Sequence, residues 1–167
     1  MTNIRRYFAE GQVCFLTHVT HNRMPILIDH FDLLYGAFDQ ARQQHRLRLN
    51  AWVVLPDHLH MIVETDNQDI SALMRRVKLS FSTNYRKRVG MREGRVWQYR
   101  FWDRVMRNQD DLNKHVDYIH YNPVRHGLIG NPFSWRYSTA VDYLQDGYYA
   151  PDWGVREPVE IEGEFGE

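Results

Sequence analysis

The 167 residues suit a single domain large enough to bury a core, and 43% hydrophobic, 14% aromatic and 25% charged residues make an ordinary soluble globular composition. The single cysteine, Cys14, excludes an intrachain disulfide and a cysteine-rich zinc site. No apolar run approaches the roughly 18 residues of a membrane span, and the opening "MTNIRRYFAEGQ" lacks the apolar core of a signal peptide, so a reducing cytoplasm and no membrane partner are expected.

A formal net charge of zero conceals a segregation. Between Ser71 and Asn108 there are eleven Lys and Arg, opposed only by Glu93 and Asp103. From Asp142 to Glu167 there are eight acids and one base, Arg156. A domain over 1–150 followed by an acidic tail over 151–167 is expected. A basic middle suits a polyanion. In "RVWQYRFWDRVMR" aromatics interleave with arginines, the mixture that single-stranded nucleic acid requires, because bases stack on rings while cations follow phosphates. A solvated helix face and a solvated tail account for the same charges.

In chain order, "VCFLTHVT" (13–20) reads as a strand. Residues 30–46 place Phe31, Leu34, Phe38 and Ala41 at helical spacing. Residues 47–56 and 57–65 read as two strands joined at Pro56-Asp57. Residues 69–89 open with Asp69 as an N-cap and repeat Ile70, Leu73, Val77 and Phe81 on one face. Residues 96–107 read as a fourth strand region. Residues 110–122 read as a helix stopped by Pro123, which disfavours helical backbone at Asn122. The order β-α-β-β-α-β plus a helix predicts an α+β fold: a ferredoxin-like antiparallel sheet with helices on one face and an added C-terminal helix. The other face is expected to stay open for a substrate or partner.

Within "LPDHLHMIV" (55–63) side chains alternate between faces. Leu59, Met61 and Val63 are expected toward the helices, His58 and His60 toward the open face, where two imidazoles can converge on one cation. Two surface histidines without a ligand give the same pattern. In "HVDYIHYNPVRHGL", Tyr118 and Asn122 are four apart and share a helix face, with His115 three earlier. A core tyrosine and a turn asparagine are the plainer alternative. Combined, two neutral histidines and the Asn122 amide oxygen can hold a divalent ion and leave it at full charge toward anionic oxygens. A phenol at Tyr118 can then attack phosphorus, given activation.

"PDHLHMIV" resembles the His-hydrophobic-His motif of the HUH single-strand nucleases, and "YIHYNPVRHGL" resembles the tyrosine helix of single-tyrosine transposases. Together, from about residue 13 to about residue 140, the chain resembles the REP-associated tyrosine transposases. That resemblance implies Tyr118 as nucleophile, His58, His60 and Asn122 as metal ligands, and magnesium or manganese as cofactor. It implies cleavage of single-stranded DNA at palindromic hairpins, leaving a 5′-phosphotyrosine and a free 3′-hydroxyl, by a monomer or homodimer. Asp57 and His126 depart from the family's pattern, which often has Asn and a small residue there. Under this resemblance Arg75, Arg76, Lys78, Arg86, Lys87, Arg88 and Arg125 become candidates for phosphate contact, and Trp97, Tyr99, Phe101 and Trp102 are expected mainly in the core. Tyr121 is a second candidate phenol. The tail from Asp152 can lie across the basic groove or remain a solvated end.

Two other functions fit the same residues. A hairpin-binding protein without chemistry would use the same basic surface. A metal-dependent hydrolase with water as nucleophile would leave Tyr118 structural. A zinc hydrolase would need His115 or His120 as further ligands. His18, His21, His30, His45 and His126 are expected in packing or solvent roles.

Overall fold

The structure, a computed structural model, describes residues 12–66, 69–156 and 159–166. Its elements are β1 (Gln12–Val19), α1 (Phe31–Gln44), β2 (Leu47–Val54), β3 (His58–Thr65), α2 (Ile70–Val89), β4 (Trp102–Val105), α3 (Gln109–Arg125) and α4 (Ala140–Gln145), with 3-10 turns at His21–Arg23 and Pro132–Ser134. The first six elements after β1 follow the expected alternation. The four strands form one antiparallel sheet in the order β2-β3-β1-β4. No helix among the described residues is long and apolar enough to cross a membrane.

Period-two patterning divides the core into two layers. On one face Cys14, Leu16, Leu59, Met61 and Val63 pack against Leu34, Ala37 and Ala41 of α1 and Leu73, Met74, Val77 and Phe81 of α2. Asp69 caps α2 by accepting from the Ala72 amide at 3.1 Å, and Gly90, at φ 71°, ends it in the left-handed conformation that glycine adopts without steric penalty. On the other face Val13, Phe15, Ala51, Val53 and Ile62 pack against Leu112, Val116, Tyr118 and Ile119 of α3.

The second layer corrects the expectation of an open face. All eight residues of β3 are buried, because α3 covers the side away from α1 and α2. Two further readings change. The fourth strand is shorter than 96–107: only Trp102–Val105 pairs with β1, while Trp97 turns into the core beside Phe81 and touches the sheet through a single bridge to Thr20. Pro123 does not stop α3. It lies in the last turn, where the missing N–H removes only one bond, and the His126 amide still donates to Asn122 at 3.0 Å. Gly127, at φ 68°, ends the helix instead.

A buried polar network fixes the outer side of α3. His120 bonds Tyr149 Oη at 2.8 Å through Nδ1 and Thr139 Oγ1 at 2.9 Å through Nε2, and Tyr149 donates to Asp117 at 3.0 Å. Burial pushes the Asp117 carboxyl up to about 6, against the Tyr149 bond, which pulls it down. A carboxyl raised on folding stabilises below its unfolded pKa, and that contribution is lost as pH rises through about 6. Urea titrations of wild type and Asp117→Asn between about pH 4 and 7 should show wild type losing stability relative to the variant as pH rises. Parallel curves would mean that Asp117 is not desolvated as described.

Candidate active site

Two strands and one helix build the site. His58 and His60 leave β3 on the α3 side with ring centroids 5.0 Å apart, and both are buried. A buried imidazole needs hydrogen-bond partners. His60 finds one directly across the sheet: Thr17, its register partner on β1, places Oγ1 2.7 Å from Nδ1. The Thr17 hydroxyl donates to the Phe165 carbonyl at 2.7 Å. Its one proton is so committed, and His60 Nδ1 must be the donor to it. In the neutral ring the lone pair then sits on Nε2. His58 Nδ1 lies 2.5 Å from Asp57 Oδ1. A carboxylate only accepts, so the same tautomer results. Burial would raise the Asp57 pKa; hydrogen bonds from His58 and Arg23, with the guanidinium charge, outweigh it and hold the carboxyl below its usual range.

The third component is α3. The Tyr118 ring lies 5.1 Å from the His60 ring, and the His126 ring, two turns further on, lies 5.1 Å from His58. Asn122 is one turn from each and fully buried, so its amide leaves the same helix face, between the two histidine contacts. The structure thus brings Tyr118, His58, His60 and Asn122 to one side of the sheet. Tyr121 instead faces Trp153 and Gly154. His115 Nδ1 donates to the Asp111 carbonyl at 2.7 Å and the ring packs edge-on to Phe15, and both His120 nitrogens are engaged in the network described above. Among the described residues no group of three or more His, Cys, Asp or Glu is placed to hold a metal ion. The remaining buried histidine, His18, stacks on Phe101 at 4.6 Å on the α2 side, where burial pushes its pKa down to about 3.

Part of the tail joins the site. The Phe165 ring stacks on Tyr118 at 3.6 Å and 7°, and also meets His115 and Phe15. Gly163, Glu164, Phe165 and Gly166 line a groove with Trp102, Tyr118 and Arg125. A side chain at Gly166 would collide with Trp102, so the close approach there requires glycine. The tail is therefore not a solvated end over residues 159–166: Phe165 is 6% exposed and Ile161 packs beside the same core layer. Nor does it lie on the basic face of α2. Its sequence signal was two apolar side chains, Ile161 and Phe165, inside an acidic run.

Of the candidate phosphate contacts, only Arg125 is at the site, with its guanidinium 5.2 Å from the Tyr118 ring centroid. Arg75, Arg76, Lys78, Arg86, Lys87 and Arg88 all ride on α2, across the sheet from Tyr118. Arg76 bonds His45 at 2.8 Å, Lys78 donates to the Gln98 carbonyl at 3.0 Å, Arg86 donates to the Gly94 carbonyl, and Arg88 forks onto Asp32 at 2.7 and 2.6 Å. Arg75 and Lys87 are exposed. Sequence reasoning missed Thr17, Arg23 and Phe165, each of which acts on the site through contacts set by tertiary structure.

The sheet thus carries paired histidines in a central strand, faced by a tyrosine and an asparagine from one helix. The family described as IS200-like transposases matches residues 14–122, and the chain belongs to that family. It is 33% identical over 156 residues to the REP-associated tyrosine transposase of Escherichia coli K12, covering 92% of this chain and 91% of that one. A Haemophilus influenzae relative is 31% identical over 176 residues, covering 99% of this chain and all of its own length. A solved structure of a REP-associated tyrosine transposase bound to a REP hairpin superposes with a TM-score of 0.80 at 32% identity, covering 100% of this chain and 98% of the other. The chain is accordingly a DNA-cleaving and rejoining tyrosine transposase.

The cover over Tyr118 has a measurable consequence. The Phe165 stack on Tyr118, its burial against Phe15 and His115, and the hydrogen bond from Thr17 contribute together at least about 2 kcal/mol, enough to lower the uncovered population by more than about tenfold. Removing residues 159–167 should raise the initial rate of covalent DNA adduct formation by about that factor. Equal rates in the full-length and shortened chains would show that Phe165 does not limit access.

Proposed function

We propose that this chain is a metal-dependent single-stranded DNA endonuclease and strand transferase acting on repetitive palindromic hairpins. The observation that carries the reading is the convergence of Tyr118, His58, His60 and Asn122 on one buried face, with both imidazoles in the tautomer that offers Nε2. The amide oxygen suits magnesium or manganese, two imidazole nitrogens favour manganese of that pair, and His58, His60 and Asn122 would hold the ion. When bound, it supplies a Lewis acid for the phosphoryl oxygens.

The protein's own groups do the rest. The Tyr118 oxygen attacks phosphorus as its proton leaves. The new O–P bond replaces the bond to the 3′-oxygen, which departs and takes up a proton. The products are a 5′-phosphotyrosine and a free 3′-hydroxyl, and attack by another 3′-hydroxyl reverses the step and joins a new strand without ATP. Arg125 supports the reading by placing a cation beside the attacking ring. The α2 cations are assigned to the phosphates of the hairpin stem, with a strongly salt-dependent affinity. The reaction takes place in the cytoplasm, with the chain as a monomer or homodimer.

Hairpin binding without chemistry is the competing reading. Tyr118→Phe removes one oxygen and keeps the ring that packs on Phe165. It should abolish the SDS-stable adduct with single-stranded hairpin DNA in manganese while leaving hairpin affinity within about twofold, as expected for a group that acts only in the chemical step. An adduct that survives in the variant would move the nucleophile elsewhere. Wild type that forms none in either metal, with or without residues 159–167, would reduce the function to binding.

A further inference from the structure

Two features near the start of β3 have no part in the reaction as described. The first is in the backbone. Asn22 and Arg23 are consecutive, neither is glycine, and their φ angles are 52° and 51°. Left-handed backbone at such residues is strained and persists where surrounding structure enforces it. The enforcement is visible. The Thr20 amide donates to the Asp57 carbonyl at 2.8 Å, Thr20 Oγ1 lies 2.8 Å from the Met24 carbonyl and 2.9 Å from that of Asp57, and the Leu27 amide donates to Pro56 at 2.9 Å. The turn is fastened to the loop that precedes His58.

The second feature is what this fastening presents. Arg23 Nη1 lies 3.1 Å from Asp57 Oδ2, and the other carboxylate oxygen, Oδ1, faces His58 Nδ1. The three side chains form a line of guanidinium, carboxylate and imidazole. Arg23 occupies the oxygen that a cation would otherwise attract, so Asp57 stands behind a ligand and is not one itself. The two histidines are thus backed unequally: His60 by a neutral hydroxyl, His58 by a charge.

We propose that Asp57, held by Arg23, is a positioning residue that fixes the ring orientation and Nδ1–H tautomer of His58 and thereby raises the affinity of the site for a divalent cation. The inference rests on the metal reading given above. A carboxylate behind an imidazole ligand orients the ring and makes its outer nitrogen more basic, and loss of such a partner typically weakens metal binding by about 10–100-fold.

Two measurements on the full chain test it. Nitrogen-15 NMR of labelled histidine, without metal and above the histidine titration range, should show His58 as the Nδ1–H tautomer in wild type and in Asp57→Asn, which keeps an acceptor, and a shift toward Nε2–H in Asp57→Ala. Manganese titration followed by the EPR signal of the free ion should show weaker binding in Asp57→Ala by about 10–100-fold, partly recovered in Asp57→Asn. Arg23→Ala, at the exposed end of the line, should weaken binding in the same direction if Asp57→Ala fails to fold. An unchanged His58 tautomer and unchanged manganese affinity in folded Asp57→Ala or Arg23→Ala would overturn the proposal. Wild type that binds no manganese would overturn the metal reading with it, whereas wild-type binding with unaffected variants would overturn this proposal alone.

Discussion

A polar ring buried between two packed layers sets the terms for the whole site. His60 has no exposed surface. An imidazole in that position without partners would weigh against folding by an amount comparable to a lost core side chain. Thr17 removes the penalty because the antiparallel register places it directly opposite. The register in turn follows from the alternation of Phe15, Thr17 and Val19 against Ile62, His60 and His58 on the α3 side. A slip by one residue would send the imidazoles among the aliphatic side chains of α1 and α2. The same alternation that builds the core therefore aims the ligands.

The Thr17 hydroxyl also connects the site to its cover. It accepts from His60 and donates to the carbonyl of Phe165, whose ring lies flat on Tyr118. One tail residue thus touches the proposed nucleophile by stacking and the proposed ligand through a single intervening hydroxyl. Loss of Phe165 would remove both the ring stacked on Tyr118 and the acceptor of the Thr17 hydroxyl, because one residue makes the two contacts.

The fold was legible because its signals were local. Asp69 before an apolar face marked the start of α2, and the His-x-His run within a strand put both imidazoles on one side whatever covered them. What escaped depended on distant partners. Thr17 looked like any strand threonine; its partner His60 lies 43 positions away and its carbonyl acceptor 148. Pro123 carried a correct local bias that lost to packing, since the helix beyond it still had the His126 amide to close the turn and Asn122 buried beneath it. The charge of α2 was plain in composition, but only the sheet showed that its cations and Tyr118 are on opposite layers. Burial of the second face was invisible for the same reason: α3 is amphipathic in a way that suits a surface as well as a sheet.

The layers constrain how a single DNA molecule can meet both. A strand running from the cations of α2 to Tyr118 has to pass an edge of the sheet, and the two edges differ. Beside β2, the Ser138–Thr139 segment fills the outer positions: the Thr139 amide donates to Trp52 and the Trp52 amide to Thr139 Oγ1. Beside β4, Trp102 and Val105 are exposed among Arg100, Arg104 and Arg107, and Trp102 lies in the groove that also holds Tyr118 and Arg125. Rings next to guanidinium groups are what an unpaired strand follows. The Gly163–Gly166 segment occupies the end of that path. It is held there by the Phe165 stack on Tyr118, by burial of that ring against Phe15 and His115, and by the hydrogen bond from Thr17, the same kind of contact that an aromatic side chain makes with an unpaired base.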